Sequence, residues 1–173
     1  MRPLHAVVVG AFGLVLIGAG CGGAIPSSDG GPATLNVTSS KDGRYLVDAQ
    51  GHSLYLFEKD EGGESYCTGA CAAVWPALET AAMPHAGAGV DAAALGTIKR
   101  DDGDMQVTYH GHPLYYYAAD ASTPGKTKGE DVEQFGAGWY LVNAGGKSVE
   151  PGSGSNSGSN GSNGGSNGGG GGY

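Results

Sequence analysis

The sequence predicts a mainly β fold. It is a small, pseudo-symmetric, two-repeat antiparallel β domain with one or two short helices, set between Gly-rich flanks. Three observations predict it. Gly51-His52-Ser53-Leu54-Tyr55-Leu56-Phe57-Glu58-Lys59-Asp60 returns in register as Gly111-His112-Pro113-Leu114-Tyr115-Tyr116-Tyr117-Ala118-Ala119-Asp120, and an internal repeat is the signature of a stacked structural unit. The segments around both copies alternate short β-branched and aromatic runs with Gly- and Asp-containing turns. The two flanks, Gly22 to Thr38 rich in Gly, Ser, Pro and Ala and Pro151 to Gly172 made only of Pro, Gly, Ser and Asn, hold too few apolar residues to offset the entropy of ordering them.

The elements follow in chain order. Residues 1–20 have signal-peptide anatomy: Arg2, an apolar run from Ala6 to Ile17, then small residues leading into Cys21. Gly18-Ala19-Gly20-Cys21 resembles a lipobox, with Gly18 where leucine is usual. Cys67 and Cys71 can pair, which leaves Cys21 odd, and an odd cysteine in an exported chain is accounted for by lipidation. Residues 21–38 read as a lipidated cysteine and a flexible tether, and residues 39–150 as the domain. Arg44 to Val47 is a strand, and Ser53 to Phe57 returns after a turn at Asp48–Gly51. Met105 to Tyr109 is a further strand, and Pro113 to Tyr117 returns after His110-Gly111-His112. Strand alternation places Tyr55 with Phe57, and Tyr115 with Tyr117, on one face. Leu54 with Leu56, and Leu114 with Tyr116, occupy the other, so these strands should be covered on both sides.

Cys67 to Val74 and Asp91 to Leu95 read as short helices, the first ending at Trp75 because Pro76 disfavours helix before it. Gly138-Trp139-Tyr140-Leu141-Val142 echoes Gly43-Arg44-Tyr45-Leu46-Val47. The echo predicts that the closing strand takes, in one half, the place the first strand takes in the other. The repeats then span about 43–76 and 105–146, and residues 151–173 form a tail expected to be disordered.

Removing Arg2 with the leader leaves eight basic residues against seventeen acidic ones. That balance argues against nucleic acid as a partner and against electrostatic docking on anionic lipid. Outside the Gly/Ser/Asn tail there is no Gly-x-Ser-x-Gly elbow, and the chain has no His-Glu-x-x-His and no phosphate loop.

These residues resemble the predicted bacterial lipoproteins named for a Tyr-x-(Phe/Trp/Tyr)-x-x-Asp motif, a secreted repeat of unknown function. Tyr55, Phe57 and Asp60 fit it, as do Tyr115, Tyr117 and Asp120. Cys67-Thr68-Gly69-Ala70-Cys71 leading to Trp75-Pro76 also fits, and the resemblance covers about Arg44 to Gly146. It implies an envelope-located, tandem-repeat protein and brings no activity with it.

Each candidate site has two readings. The motif tyrosines and aspartates are framework, with ring buried and hydroxyl bonded, or they bind a ligand. Cys67 and Cys71 form a structural disulfide suited to an oxidising compartment, or hold a soft metal as thiolates. His52, His110 and His112 are turn residues, or converge with the cysteines or Met83 on copper or haem. The leading expectation is a non-catalytic protein without cofactor, held to a membrane by lipid on Cys21, periplasmic or on the outer surface, with an unnamed protein or small-molecule partner. The alternative is a redox protein binding copper or haem.

Overall fold

The computed structural model describes residues 31–149; the leader, Cys21, residues 22–30 of the tether and the tail lie outside them. The chain runs β1 (Thr34–Ser40), β2 (Gly43–Asp48), β3 (Tyr55–Phe57), α1 (Ala70–Val74), β4 (His85–Ala86), β5 (Leu95–Lys99), β6 (Met105–Tyr109), β7 (His112–Pro113), β8 (Val132–Gln134) and β9 (Ala137–Leu141). Single 3-10 turns lie at Ala92–Ala94 and Ala118–Asp120. The strands form three small sheets of order β2-β1-β4, β3-β9-β8 and β5-β6-β7.

β1 begins inside the segment that composition assigns to the tether. Leu35 and Val37 sit among polar residues, yet Leu35 is fully buried and β1 pairs with β2 from Leu35↔Asp48 to Ser40↔Gly43. A strand partner satisfies the backbone that local sequence alone leaves undecided. α1 starts at Ala70 rather than Cys67, because Gly69 stands at φ 56° and cannot continue a right-handed helix backward. It stops at Val74, before the Trp75-Pro76 pair. The second expected helix is only the 3-10 turn, capped by the Asp91 side chain accepting from Ala93 N–H at 2.9 Å.

The two halves are related by an exchange. In the first, Leu46 N–H donates to the Val142 carbonyl at 2.8 Å and Val142 N–H to the Leu54 carbonyl at 3.3 Å. In the second, Val107 N–H donates to the Leu78 carbonyl at 2.8 Å and Leu78 N–H to the Leu114 carbonyl at 2.8 Å. Each hairpin therefore receives a strand of the other repeat that bonds to both of its arms, while the arms bond each other through Leu54 N–H to the Leu46 carbonyl at 3.1 Å and Leu114 N–H to the Val107 carbonyl at 3.0 Å. At the centre Tyr55 and Tyr115 form an antiparallel bridge, each donating its N–H to the other's carbonyl at 2.9 and 3.0 Å.

The counterpart of β9 is thus the Trp75–Leu78 segment and not β2, which corrects the reading of the Gly-x-Tyr-Leu-Val echo. The register is set by tryptophan: Trp75 stands three residues before Leu78, and Trp139 three before Val142. The echo itself is a pattern that any strand with both faces covered adopts.

Two apolar cores flank the central strands, as alternation predicts. One holds Tyr55, Phe57, Tyr115, Trp75, Trp139 and the two cysteines. The other holds Leu54, Leu56, Leu114, Tyr116, Leu46 and Val142.

Candidate functional site

The repeat motif assembles at the axis between the halves. Phe57 stacks on Trp139 at 4.1 Å, Trp139 on Trp75 at 4.0 Å, and Trp75 on Tyr117 at 4.1 Å between ring centroids. The column reads the same from either end: motif aromatic, tryptophan, tryptophan, motif aromatic. Tyr55 meets Trp75 edge-on, and Tyr115 meets Trp139 edge-on, the arrangement that ring quadrupoles favour.

The motif hydroxyls and carboxylates pair crosswise. Tyr55 Oη donates to Asp120 Oδ2 at 2.6 Å, and Tyr115 Oη donates to Asp60 Oδ2 at 2.6 Å. The second oxygen of each carboxylate takes a backbone N–H: Asp60 Oδ1 that of Tyr66 at 2.8 Å, Asp120 Oδ1 that of Lys128 at 2.9 Å. Both tyrosines are fully buried. Burial, reinforced by the facing carboxylate, pushes each phenol well above its ordinary value, so both remain protonated donors at neutral pH. Burial also raises the Asp60 carboxyl above its ordinary value, against the opposing pull of the Tyr115 hydroxyl, the Tyr66 N–H and the Arg100 charge.

Around these crossed pairs the halves differ. Near Asp60, Ser65 Oγ lies 2.8 Å from Tyr115 Oη and accepts from Arg100 Nη1 at 2.8 Å. Arg100 is buried and also donates to Gln106 Oε1 at 2.8 Å and to the Cys67 carbonyl at 2.9 Å. Near Asp120 the Tyr55 hydroxyl instead accepts from Gly129 N–H at 3.3 Å. Sequence reasoning missed Arg100, Gln106 and Ser65. An arginine beside Asp101 and Asp102 reads as a solvated turn, and the only signal was Gln106 next to Val107 in a strand, a buried amide that needs partners.

Cys67 and Cys71 form a disulfide. It lies in the core beside Trp75. The histidines are not brought to it. His52 bonds Asp48 Oδ2 through Nδ1 at 2.7 Å and the Ser122 carbonyl through Nε2 at 2.9 Å. His110 is an exposed turn residue at φ 48°, and His112 pairs with Tyr109 at a sheet edge. Met83 is exposed. Among the described residues no three of His, Cys, Asp and Glu cluster as metal ligands would. An open groove of about 900 Å³ lies beside Arg100, rimmed by Glu64, Tyr66, Lys99, Asp101 and Asp102. Among the described residues every buried side-chain nitrogen and oxygen has a partner, so the crossed pairs hold no group left over for chemistry.

The family model described as a secreted repeat of unknown function matches residues 36–79 and 96–143, more than half the chain. The chain belongs to this secreted-repeat family. Both matches end just past the exchanged strand, at Leu78 and Val142, so the family unit is the exchanging unit of the fold. Secretion implies export, and among the described residues no helix is long and apolar enough to cross a membrane. No curated protein and no solved structure matches the chain.

Proposed function

We propose that the protein is a lipid-anchored, non-catalytic envelope module, tethered through Cys21 and displaying the two-repeat domain for interaction. The observation that carries the non-catalytic part is the use of the motif itself. Tyr55, Phe57, Asp60, Tyr115, Tyr117 and Asp120 are spent on one another and on the tryptophan column. A catalytic tyrosine or carboxylate needs access to substrate, and the motif tyrosines are sealed. The copper or haem alternative has less support, because the two thiols that would serve as soft ligands are joined to each other.

The anchor rests on the leader and on the odd Cys21, both outside the described residues. Acyl chains contribute about 0.8 kcal/mol per buried CH₂, and more than one is needed for firm attachment. Membrane fractionation and mass spectrometry of the mature N-terminus test it. The mature chain should begin at Cys21, carry acyl mass and sediment with membrane, while Cys21→Ser abolishes the acyl mass. A mature wild-type chain in the soluble fraction without lipid would refute the anchor.

A further inference from the structure

We propose that each repeat can also receive the Trp-x-x-(Leu/Val) strand from a second copy of the chain, so that two molecules complete each other as a strand-exchanged dimer. The inference goes beyond the display role and does not depend on the anchor.

Neither half is complete alone. Without Val142, the hairpin formed by Leu46 and Leu54 leaves an N–H and a carbonyl open in the middle of the core, and without Leu78 the hairpin of Val107 and Leu114 does the same. Trp75 would lose Trp139 from its face, and each motif tyrosine would lose the carboxylate it donates to. A self-complementary surface in which each side gives what it takes is the geometry of a twofold dimer.

Nothing in that exchange requires that both repeats lie on one chain. The connector supplies the decisive observation. From Ala81 to Ala88 it is laid along its own repeat: His85 N–H donates to the Ala33 carbonyl at 2.7 Å, Gly87 N–H to the Leu35 carbonyl at 2.7 Å, and Val37 N–H to the Ala88 carbonyl at 2.8 Å. From Asp91 onward it belongs to the other: Asp91 N–H donates to Tyr109 Oη at 3.1 Å, and His110 N–H to the Ala94 carbonyl at 2.9 Å. Only Gly89 and Val90 bridge the two, with Gly89 at φ 77°. A hinge this short, turning on one left-handed glycine, is a setting that favours exchange between copies: opening it parts the two repeats, and closing them on a second copy restores the contacts outside the hinge.

Deleting Gly89 and Val90 from the full chain tests the inference. The shortened chain should no longer fold back on itself. It should elute at twice the monomer mass by size exclusion with light scattering, while keeping the near-ultraviolet circular dichroism of the stacked tryptophans. A natively folded monomer overturns the proposal. If the deletion chain does not fold, a protease site inserted between Gly89 and Val90 decides instead. The cut protein should remain one complex, and its halves, separated in denaturant and mixed, should regain the tryptophan signal that neither regains alone at low concentration. Halves that fail to recover it on mixing, or that each recover it alone as monomers, overturn the proposal.

Discussion

The Asp60 side and the Asp120 side of the axis solve one problem in two ways. Both bury a carboxylate against a tyrosine hydroxyl of the opposite repeat at 2.6 Å and satisfy its second oxygen with a backbone N–H. Beyond that shell they part. The Asp60 side adds a buried arginine, a serine hydroxyl and a disulfide-bonded helical turn ahead of its tryptophan. The Asp120 side has a two-stranded hairpin, β8–β9, running into Trp139. What the halves share is what the axis requires, and what differs is how each tryptophan is approached. The shared part is therefore where damage should be greatest and most nearly equal.

The tryptophans are the strictest test of that equality. Trp75 and Trp139 are both fully buried and stack on each other. Removing either ring should cost about 3–5 kcal/mol, as large-to-small aromatic changes in cores do, and that is a large share of a small domain's stability. Trp75→Ala and Trp139→Ala should fall within about 1 kcal/mol of each other in urea denaturation, since each ring stacks on the other and on the equivalent motif aromatic. A large difference would mean that the disulfide turn or the hairpin, and not the axis, dominates.

The second test separates the halves. Tyr55→Phe and Tyr115→Phe each remove a hydroxyl bonded to a buried carboxylate, a loss of about 1.5–3 kcal/mol. Tyr115→Phe should lie at the lower end, because the Arg100 charge still acts on Asp60, and Tyr55→Phe at the upper end. The Asp60 change is also pH-dependent. Its folded value lies above the ordinary one, so the stability from its protonated form is full below about pH 3.9, the unfolded value, and is lost as pH rises through the folded value. Removing the Tyr115 hydroxyl, which lowers that value, pushes it higher still. The gap between wild type and Tyr115→Phe should therefore be smallest in acid and open as pH rises. Chemical denaturation across the acid range, with carboxyl NMR titration of Asp60, checks the direction.

Much of the shared part was legible and little of the rest. The repeat named the tyrosines and aspartates, and alternation placed their faces, because both follow from local pattern. The partner of each hydroxyl was not legible, because the pairs join Tyr55 to Asp120 and Tyr115 to Asp60 across the whole chain. The same is true of the strand exchange. Gly-x-Tyr-Leu-Val pointed to the wrong counterpart because strand patterns are interchangeable, whereas the tryptophan three residues before Leu78 and Val142 was unambiguous once both were seen buried. β1 was missed because Leu35 and Val37 stand alone in a polar stretch and owe their structure to β2.

The disulfide gives a smaller effect, confined to one half. Closing a loop this short restricts the unfolded chain by about 2 kcal/mol on a chain-entropy reckoning. Replacing Cys67 and Cys71 together by serine should cost that much, plus the burial of two hydroxyls in the Trp75 core. Tyr55 and Trp139 fluorescence should retain a native-like environment, since the axis has a second approach through the hairpin. Loss of the folded state would mean that the helical turn, unlike the hairpin, cannot form uncrosslinked.

The smallest effect expected is a gain, at the position of the hairpin that matches Cys71. Cys71 stands four residues before Trp75 and Phe135 four before Trp139. Cys71 is buried and crosslinked; Phe135 is 42 % exposed. Phe135 and Gly136 are the two residues between Gln134 and Ala137, which pair across β8 and β9. They stand at φ 58° and 92°, so both central residues of the turn are left-handed, the condition of the tight hairpin that favours Asn-Gly. A phenylalanine there carries the strain of positive φ and still leaves 42 % of its surface exposed. Phe135→Asn should relieve that strain and stabilise the fold by about 0.5 kcal/mol, within the range of turn optimisations. A small rise in the denaturation midpoint with unchanged slope would confirm it. If Phe135→Asn instead destabilises, the exposed ring covers a surface of the folded protein, and the two approaches to the axis are more alike than the turn geometry suggests.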